Sequence, residues 1–430
     1  MALTGNFSVL CYNVAGLPAF LSSGTPSTCS VEMGKRIAKW DIVNVQEDFN
    51  YHAELYSKNK HEYRTETSGG VPFGSGLNSL STFPFTNTTA IERTTWTECS
   101  NFEGMDCLTP KGFTLVEVEV AEGVTLDVYN LHADAGVSDA DQSARASNLK
   151  QLSDYITTHS ANRAVLVMGD TNTRYTRARD TIRDLVHAHN FTDAWVATVR
   201  KGQPPKQGAA ALMCDNKNVS DTCEVVDKIL FRGNHLITLH LDKWHNENAA
   251  FLGHDGSPLS DHAPISARFS YTLHRDVTLT RAFGAAIGTR FTDVAHATAA
   301  HNVTSITVRS SSCVQALKLH LAHPVKTTLS HGGHGARTKT LTLKVGEYVK
   351  SMEMDWQLTH ASNCITYVKF TTNQKRTIEG GARTREGTTV HAPKGFQLSG
   401  FHGRASTSIH ALGAIFTRLD GAKPTKHSKS

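Results

Sequence analysis

No apolar run in this chain of 430 residues reaches the length needed to span a bilayer as a helix. Among its eight cysteines there is no Cys-X-X-Cys pair, which removes a zinc ribbon from consideration. Charge of one sign is scarce as well. The net charge is +5, the basic residues are scattered, and no stretch interleaves basic with aromatic side chains as a groove for a polyanion would. These absences argue against a membrane-spanning protein and against nucleic acid as the partner.

The cysteines that are present fall into local pairs. Cys99 with Cys107, and Cys214 with Cys223, are flanked by polar loop residues, as disulfides closing short loops would be. Cys313 and Cys364 fall in the second half and could bridge there, while Cys11 sits in an apolar strand, either buried or paired with Cys29. Five Asn-X-Ser/Thr acceptors begin at Asn6, Asn87, Asn190, Asn218 and Asn302. The chain opens almost directly on the strand-like NFSVLCYNV, as a mature protein freed of a signal peptide would. Together these features lead us to expect a secreted protein.

Length suggests two or three domains. Before about residue 275, strand-like runs such as DIVNVQ, TLDVYNL and RAVLVMGD alternate with helical ones such as SARASNLKQLSDYITTH, where Ala146, Leu149, Leu152 and Ile156 recur near helical spacing. That alternation predicts an α/β sandwich over residues 1–275. Beyond it helical periodicity stops, and short runs of Val, Ile, Thr and Leu between Gly, His and Asn turns predict an all-β domain over 276–420. The basic, small-residue tail 421–430 is expected to be disordered.

Five short stretches carry polar residues in the first 270 positions. They are Asn13 in LCYNVAGLP, Gln46-Glu47 in IVNVQED, His132 in VYNLHAD, Asp170 and Asn172 in VMGDTN, and Asp261-His262 in PLSDHAPI. Four of the five follow runs of strand type, so their amides, carboxylates and imidazoles would emerge together where strands end. Such a set suits a hard divalent cation beside a phosphate. Glu47 is the best ligand for it, and His262 suits a general base because imidazole titrates near neutral pH.

The order of these stretches resembles the endonuclease/exonuclease/phosphatase superfamily, the fold of deoxyribonuclease and of the neutral and bacterial sphingomyelinases, over residues 7 to about 270. The resemblance implies a four-layer α/β sandwich and Mg2+, or Mn2+ or Ca2+, as cofactor. It places Asp227 of EVVDKILF behind His262 as its orienting carboxylate, Asn13 beside Glu47, and Asp261 at the metal through water or in the loop. Asp170 and Asn172 would position the attacking water, and His132 would donate to a phosphoryl oxygen. Much of the nuclease branch has an aspartate two residues after the asparagine; here that residue is Ala15, which favours the sphingomyelinase branch. The stretch Cys99-SNFEGMD-Cys107-LTPKGFTLVEV resembles bacterial sphingomyelinases too, with Lys111 reaching the phosphate. Gly69, Gly70, Gly74 and Gly76 would form a flexible lip, and Trp244 with Phe251-Leu252 falls where those enzymes have a membrane-dipping hairpin.

The second half, from FGAAIGTRFTD to LSGFHGRASTSIHALGAIF, resembles a jacalin-related lectin over roughly 281–419. That family's β-prism binds sugar through a glycine-rich first loop and an aspartate in the last. Gly284, Gly403 and His410 are the corresponding residues here, with Ala285 and Ala286 where glycine is expected and His410 in the aspartate's place. The expected activity is phospholipase C-type hydrolysis of a membrane sphingolipid or phospholipid, with a glycan or glycolipid as partner of the lectin-like domain. The rivals are a nuclease, an inositol-phosphate phosphatase and a non-catalytic glycan-binding protein.

Overall fold

The computed structural model describes residues 4–419 apart from 19–25, 86–90, 101–105, 122–123, 162, 216–217, 235–236, 286, 299–301, 324–325, 335–336 and 360–361. Asn87, Ala286 and the tail 421–430 therefore lie outside the described residues. Two compact units are present, one formed by Thr4–Ala121 and Thr125–Thr272, the other built on Leu273–Ser430.

The first unit contains strands β1 (Thr4–Asn13), β2 (Ile42–Gln46), β3 (Tyr63–Arg64), β4 (Asn78–Ser81), β5 (Glu92–Thr95), β6 (Gly112–Ala121), β7 (Val124–His132), β8 (Val165–Asp170), β9 (Thr192–Asp193), β10 (Asp227–Arg232), β11 (Ile237–Asn246) and β12 (Ile265–Leu273). Its helices are α1 (Pro26–Ile37), α2 (His52–Tyr56), α3 (Asp139–His159), α4 (Ile182–Ala188) and α5 (Ala194–Thr198). One six-stranded sheet runs β11-β12-β1-β2-β4-β3 and the other β5-β6-β7-β8-β10-β9. Every residue of β2 and β8 is buried, because both faces of these central strands are covered; hence their near-continuous apolar runs.

Amides tie the two sheets face to face. Asn44 Nδ2 donates to the carbonyls of Tyr129 (3.0 Å) and Met168 (3.3 Å), and Asn130 Nδ2 donates to those of Val45 (2.9 Å) and Asn78 (3.0 Å). These bonds satisfy polar groups that would otherwise be costly between the sheets. On the outside of the first sheet, Met33, Ile37 and Leu55 of α1 and α2 pack with Leu10, Tyr12, Val43 and Val45. On the second, Tyr155 of α3 meets Phe113 edge-on at 4.9 Å. The result is the expected helix–sheet–sheet–helix sandwich. Helix α3 starts on a capping box in which Ser138 and Asp141 exchange side-chain and backbone bonds.

The second unit is all β: β13 (Val277–Leu279), β14 (Phe283–Gly284), β15 (Thr289–Thr292), β16 (Asn302–Ser310), β17 (Val314–His323), β18 (Thr327–Gly332), β19 (Arg337–Thr342), β20 (Val349–Thr359), β21 (Ser362–Thr372), β22 (Thr377–Gly381), β23 (Glu386–His391), β24 (Phe396–Ala405) and β25 (Ile409–Arg418). Three sheets form, namely β13-β25-β24-β15 with β14 also on β25, β18-β17-β16-β19 and β22-β21-β20-β23. Their inner faces share one core, with Ile306 and Leu319, Met352 and Phe370, and Phe401 and Phe416 contributed by the three sheets in turn. This is a β-prism.

Disulfides join Cys99 to Cys107, Cys214 to Cys223 and Cys313 to Cys364. Cys11 does not bridge Cys29; its buried thiol donates to Gln46 Oε1 at 3.7 Å.

Candidate active site

Strand register assembles one wall of the site. In the second sheet Asp170 ends β8 directly beside His132 of the parallel β7 and Asp227 of the antiparallel β10. In the first sheet Asn13 ends β1 beside Gln46 of β2, so Glu47 follows at the same level. Glu47 has a left-handed backbone, φ +57°, which turns the chain sharply at the strand end. The turn is fastened by buried Asp48, which accepts from His52 Nδ1 (2.7 Å), Asn78 Nδ2 (2.7 Å) and the Tyr56 hydroxyl.

The two walls meet through side chains. Asn13 Nδ2 donates to Glu47 Oε1 (3.0 Å) and to Asp170 Oδ2 (3.2 Å). His262 Nδ1–H donates to Asp227 Oδ2 at 3.0 Å, and its Nε2 lies 3.6 Å from Asp170 Oδ2. Burial alone would hold the His262 ring neutral. The charges of Asp227 and Asp170 outweigh it, and the imidazole's pKa rises well above its ordinary value. Asp170 is itself pushed up to about 6, by burial first and then by Asp227, against the opposing pull of His262.

His132 is enclosed, 2% exposed, with Nε2 at 3.0 Å from Lys111 Nζ, 3.4 Å from Asp170 Oδ2 and 4.0 Å from Glu47 Oε1. Burial, then the charges of Lys111 and His262, hold it neutral, well below the usual histidine range. Lys111, beside it, has its ammonium held by the buried Asp106 carboxylate. Asn172, also left-handed at φ +51°, donates its backbone N–H to Asp170 Oδ1 (2.9 Å) and its side-chain amide to the Ala133 carbonyl (3.0 Å). It pins the loop after β8 to the loop after β7. Ala15 is left-handed as well, and its N–H caps the Asn13 side-chain oxygen at 3.0 Å.

Several expected residues fall elsewhere. Trp244 is 2% exposed on β11, in the core beside Trp195 and Ile265, and so lines no substrate surface. Phe251 is buried edge-on against Tyr12, ring centroids 5.0 Å apart, and Arg36 donates to the carbonyls of Ala250 and Leu252, both at 2.8 Å. Between Trp244 and Phe251, Asn246 bonds to Asp221, and Glu247 to Pro264 and Ser266, as in a loop that packs its own apolar residues. Asp261 is exposed and accepts from Ser260 Oγ at 3.3 Å. The glycine lip is fastened rather than loose: the amides of Phe73 and Gly74 both donate to the Gly70 carbonyl at 2.9 Å.

In the lectin-like unit, a side chain at Gly284 (φ +122°) or Gly403 (φ +152°) would collide with the His410 or Ala411 carbonyl, so both glycines close the sheet. His410 is committed within the unit, Nε2 to Ser406 Oγ (2.7 Å) and Nδ1 to the Asn363 carbonyl (2.5 Å). It supplies no carboxylate for a sugar.

The donor set fits a hard cation. Carboxylate oxygens of Glu47 and Asp170 converge on one amide, and Asp227 Oδ1 is buried without a partner among the described residues. Ligand atoms of Asp170, Asp227 and His262 lie within 4.8 Å of one another, but the His262–Asp227 bond already gives that pair an acid–base role. Neither Glu47 nor Asp261 belongs to this group among the described residues.

Three contributors escaped the sequence. Asp106 holds Lys111 and accepts from the Ala135 amide at 2.8 Å. Buried Arg145 donates to the carbonyls of Asp134, Ala135 and Gly136 and to Asp180. Ser260 Oγ bonds the Asn13 carbonyl at 2.7 Å and accepts from the His262 amide at 3.2 Å, joining the two motifs. Arg145 did leave a signal: it lies four residues before Leu149, on the apolar stripe of α3.

A sandwich with acid, amide and imidazole at its strand ends defines a class. The model of endonuclease/exonuclease/phosphatase family 2 matches residues 29–268 and that of the jacalin-like lectin domain matches 280–415. The chain belongs to the endonuclease/exonuclease/phosphatase family and carries a jacalin-like lectin domain. It is 38% identical over 278 residues to a sphingomyelinase of Mycobacterium tuberculosis, which covers 63% of this chain and 54% of that protein. The chain thus spans about half the length of the curated relatives it matches. Jacalin-related lectin 22 of Arabidopsis thaliana is 35% identical over 105 residues, 24% of this chain and 23% of that one. Among solved structures, sphingomyelinase C from Streptomyces griseocarneus is 17% identical with a TM-score of 0.41, covering 61% of this chain and 99% of that chain.

Proposed function

We propose that the protein is a secreted, metal-dependent phosphodiesterase of phospholipase C type that cleaves the headgroup phosphodiester of a sphingolipid or phospholipid. The observation that carries the reading is the His262–Asp227 pair, with His262 Nε2 turned toward Asp170, which Asn13 reaches from the opposite sheet. His262 Nε2 takes a proton from water as the water oxygen bonds to phosphorus. The bond from phosphorus to the lipid oxygen breaks, that oxygen takes a proton from solvent water and leaves as the hydroxyl of ceramide or diacylglycerol, and His262 returns its proton to solvent. Asp227 fixes the tautomer and stabilises the imidazolium. Lys111 neutralises charge on the phosphoryl oxygens, while Asn13 and Asn172 keep Glu47 and Asp170 in place. A divalent cation, magnesium in our reading, held by Glu47 would supply Lewis-acid charge to the phosphate.

Exposed Asn6, Asn190 and Asn218 and the three disulfides support a secretory route. The lectin-like unit would hold the enzyme on glycosylated surfaces and raise its effective concentration there.

Liposomes of mixed sphingolipids and glycerophospholipids, incubated with protein and magnesium, should yield ceramide or diacylglycerol by mass spectrometry, and none with chelator. Inorganic phosphate from inositol phosphates, or plasmid cleavage that falls steeply with salt, would point to a rival instead. Glu47→Gln should lower turnover about 10²-fold or more at any magnesium concentration; near-normal turnover would remove Glu47 from the metal.

The pH profile tests the base. His262 must be neutral to accept a proton, so the acid limb of kcat/KM reports its deprotonation. Asp227→Asn removes the largest charge that raises the imidazole's pKa. At saturating magnesium the limb should move to lower pH while the maximal rate falls; an unmoved limb would assign it to another group.

A further inference from the structure

The large apolar side chains that stand exposed in the catalytic unit, among the described residues, are Phe73 (84%), Met213 (62%), Val137 (57%) and Leu108 (41%). All four lie at one end of the sandwich. Phe73 is in the connection 65–77 into β4, whose first residue, Asn78, pairs with Val45 just before Gln46-Glu47. Leu108 follows Asp106, the residue that holds Lys111. Val137 is in the loop that leaves His132. Met213 is in the long connection ahead of Asp227, where the Glu224 amide donates to the Leu212 carbonyl at 2.8 Å.

Phe73 is held out by a built turn. Its own amide and that of Gly74 share the Gly70 carbonyl, Gly76 N–H donates to Ser68 Oγ (3.1 Å), and the Asp48 amide donates to the Gly76 carbonyl (3.0 Å). A side chain at Gly74 would collide with the Gly69 carbonyl, so the turn can close only with glycine there. Below it Arg93 donates to the Leu77 carbonyl and, at 3.1 Å, to Asn78 Oδ1. Side chains of this size displayed together beside an active site mark a contact surface.

We propose that these loops form a rim by which the catalytic unit docks on a zwitterionic phospholipid bilayer, with Phe73 as the principal anchor. The inference rests on the lipid reading above. Apolar insertion, rather than charge, drives the contact: exposed Glu66 and Glu98 on these loops offset exposed Lys201 and Lys206. The Trp244–Phe251 stretch cannot serve, because both rings are buried. The rim sets the strand ends, with Lys111, Asp170 and His262, against the headgroup layer.

The test uses the full chain carrying His262→Ala, so that vesicles of phosphatidylcholine and sphingomyelin are not consumed. In sedimentation, adding Phe73→Asp should weaken vesicle binding about tenfold or more, and raising salt from about 0.1 to 0.5 M should change the parent's affinity less than about twofold. With Phe73→Trp, indole emission should shift to the blue on vesicle addition. In the active chain, Phe73→Asp should leave hydrolysis of a monomeric short-chain substrate within about twofold of the parent while slowing vesicle hydrolysis about tenfold. Unchanged vesicle affinity with Phe73→Asp, or indole emission that ignores vesicles, overturns the rim. So does self-association that Phe73→Asp abolishes in the absence of lipid. Phe73-dependent vesicle binding with no headgroup released would instead overturn the lipase reading and leave the rim standing.

Discussion

Replacing His262 by alanine should lower kcat for headgroup hydrolysis by about 10³-fold, within the usual range for removal of a positioned general base. The far-ultraviolet circular dichroism spectrum should not change, because the ring is reached from the loop before β12 and no ladder bond depends on it. Lost with the ring are the proton acceptor facing Asp170 and the positive charge that Asp227 and Asp170 gather when it is protonated. Added imidazole should restore part of the rate, since the vacated volume lies beside an intact Asp227. Turnover within about tenfold of the parent would show that another group takes the proton.

The second large effect concerns stability. Arg145→Leu should destabilise the catalytic unit by about 3–5 kcal/mol, the cost of leaving a buried charge without its partner. Both side chains of the pair are 1% exposed; Arg145 gives Nε and a terminal nitrogen to Asp180 Oδ1 at 3.0 and 2.9 Å, and three further bonds to carbonyls 134–136. Among the described residues the Asp180 carboxylate would keep Arg177 and the Arg174 amide. The pair clamps the loop after His132 to the loop after Asp170, so kcat should fall along with the unfolding midpoint in urea. Removing both charges, Arg145→Leu with Asp180→Leu, should recover part of the loss, as paired apolar replacements of buried ion pairs do. A single variant that unfolds at the parental urea concentration would mean that the loops hold themselves.

What could be read from the sequence follows from how directly a residue type reports its surroundings. Strand β8 had to be buried on both faces because VLVMG offers no polar side, and a polar residue at its end had to emerge at the sheet's edge; Asp170 does. His132 and Asp170 were legible for that reason, His262 as an imidazole within one of the five motifs, and Asp227, which opens β10, only through the family resemblance. Trp244 and Phe251 were not, because an aromatic ring among Asn and Glu suits an exposed hairpin as well as a loop folded onto α1. The pairing partner decides, and it lies more than 200 residues away: Arg36 for the Ala250 and Leu252 carbonyls. The lip glycines suffered the same ambiguity, since close backbone approach and looseness are spelled with one letter. Arg145 was hidden in a helix whose apolar face is only partly apolar: Asp141, Arg145 and Asn148 share it with Leu149 and Leu152.

The register of β7, β8 and β10 sets how such a protein can change. His132, Asp170 and Asp227 occupy one rung across three neighbouring strands. Adding or deleting one residue inside any of these strands would turn its functional side chain to the opposite face, an all-or-none failure with no graded intermediate. The connections beyond the rung carry no such constraint. Grafting a longer or shorter 199–226 segment, or another lip at 65–77, leaves the rung where it is. Substrate preference in this scaffold can therefore be exchanged loop by loop, while the chemistry is inherited as a unit.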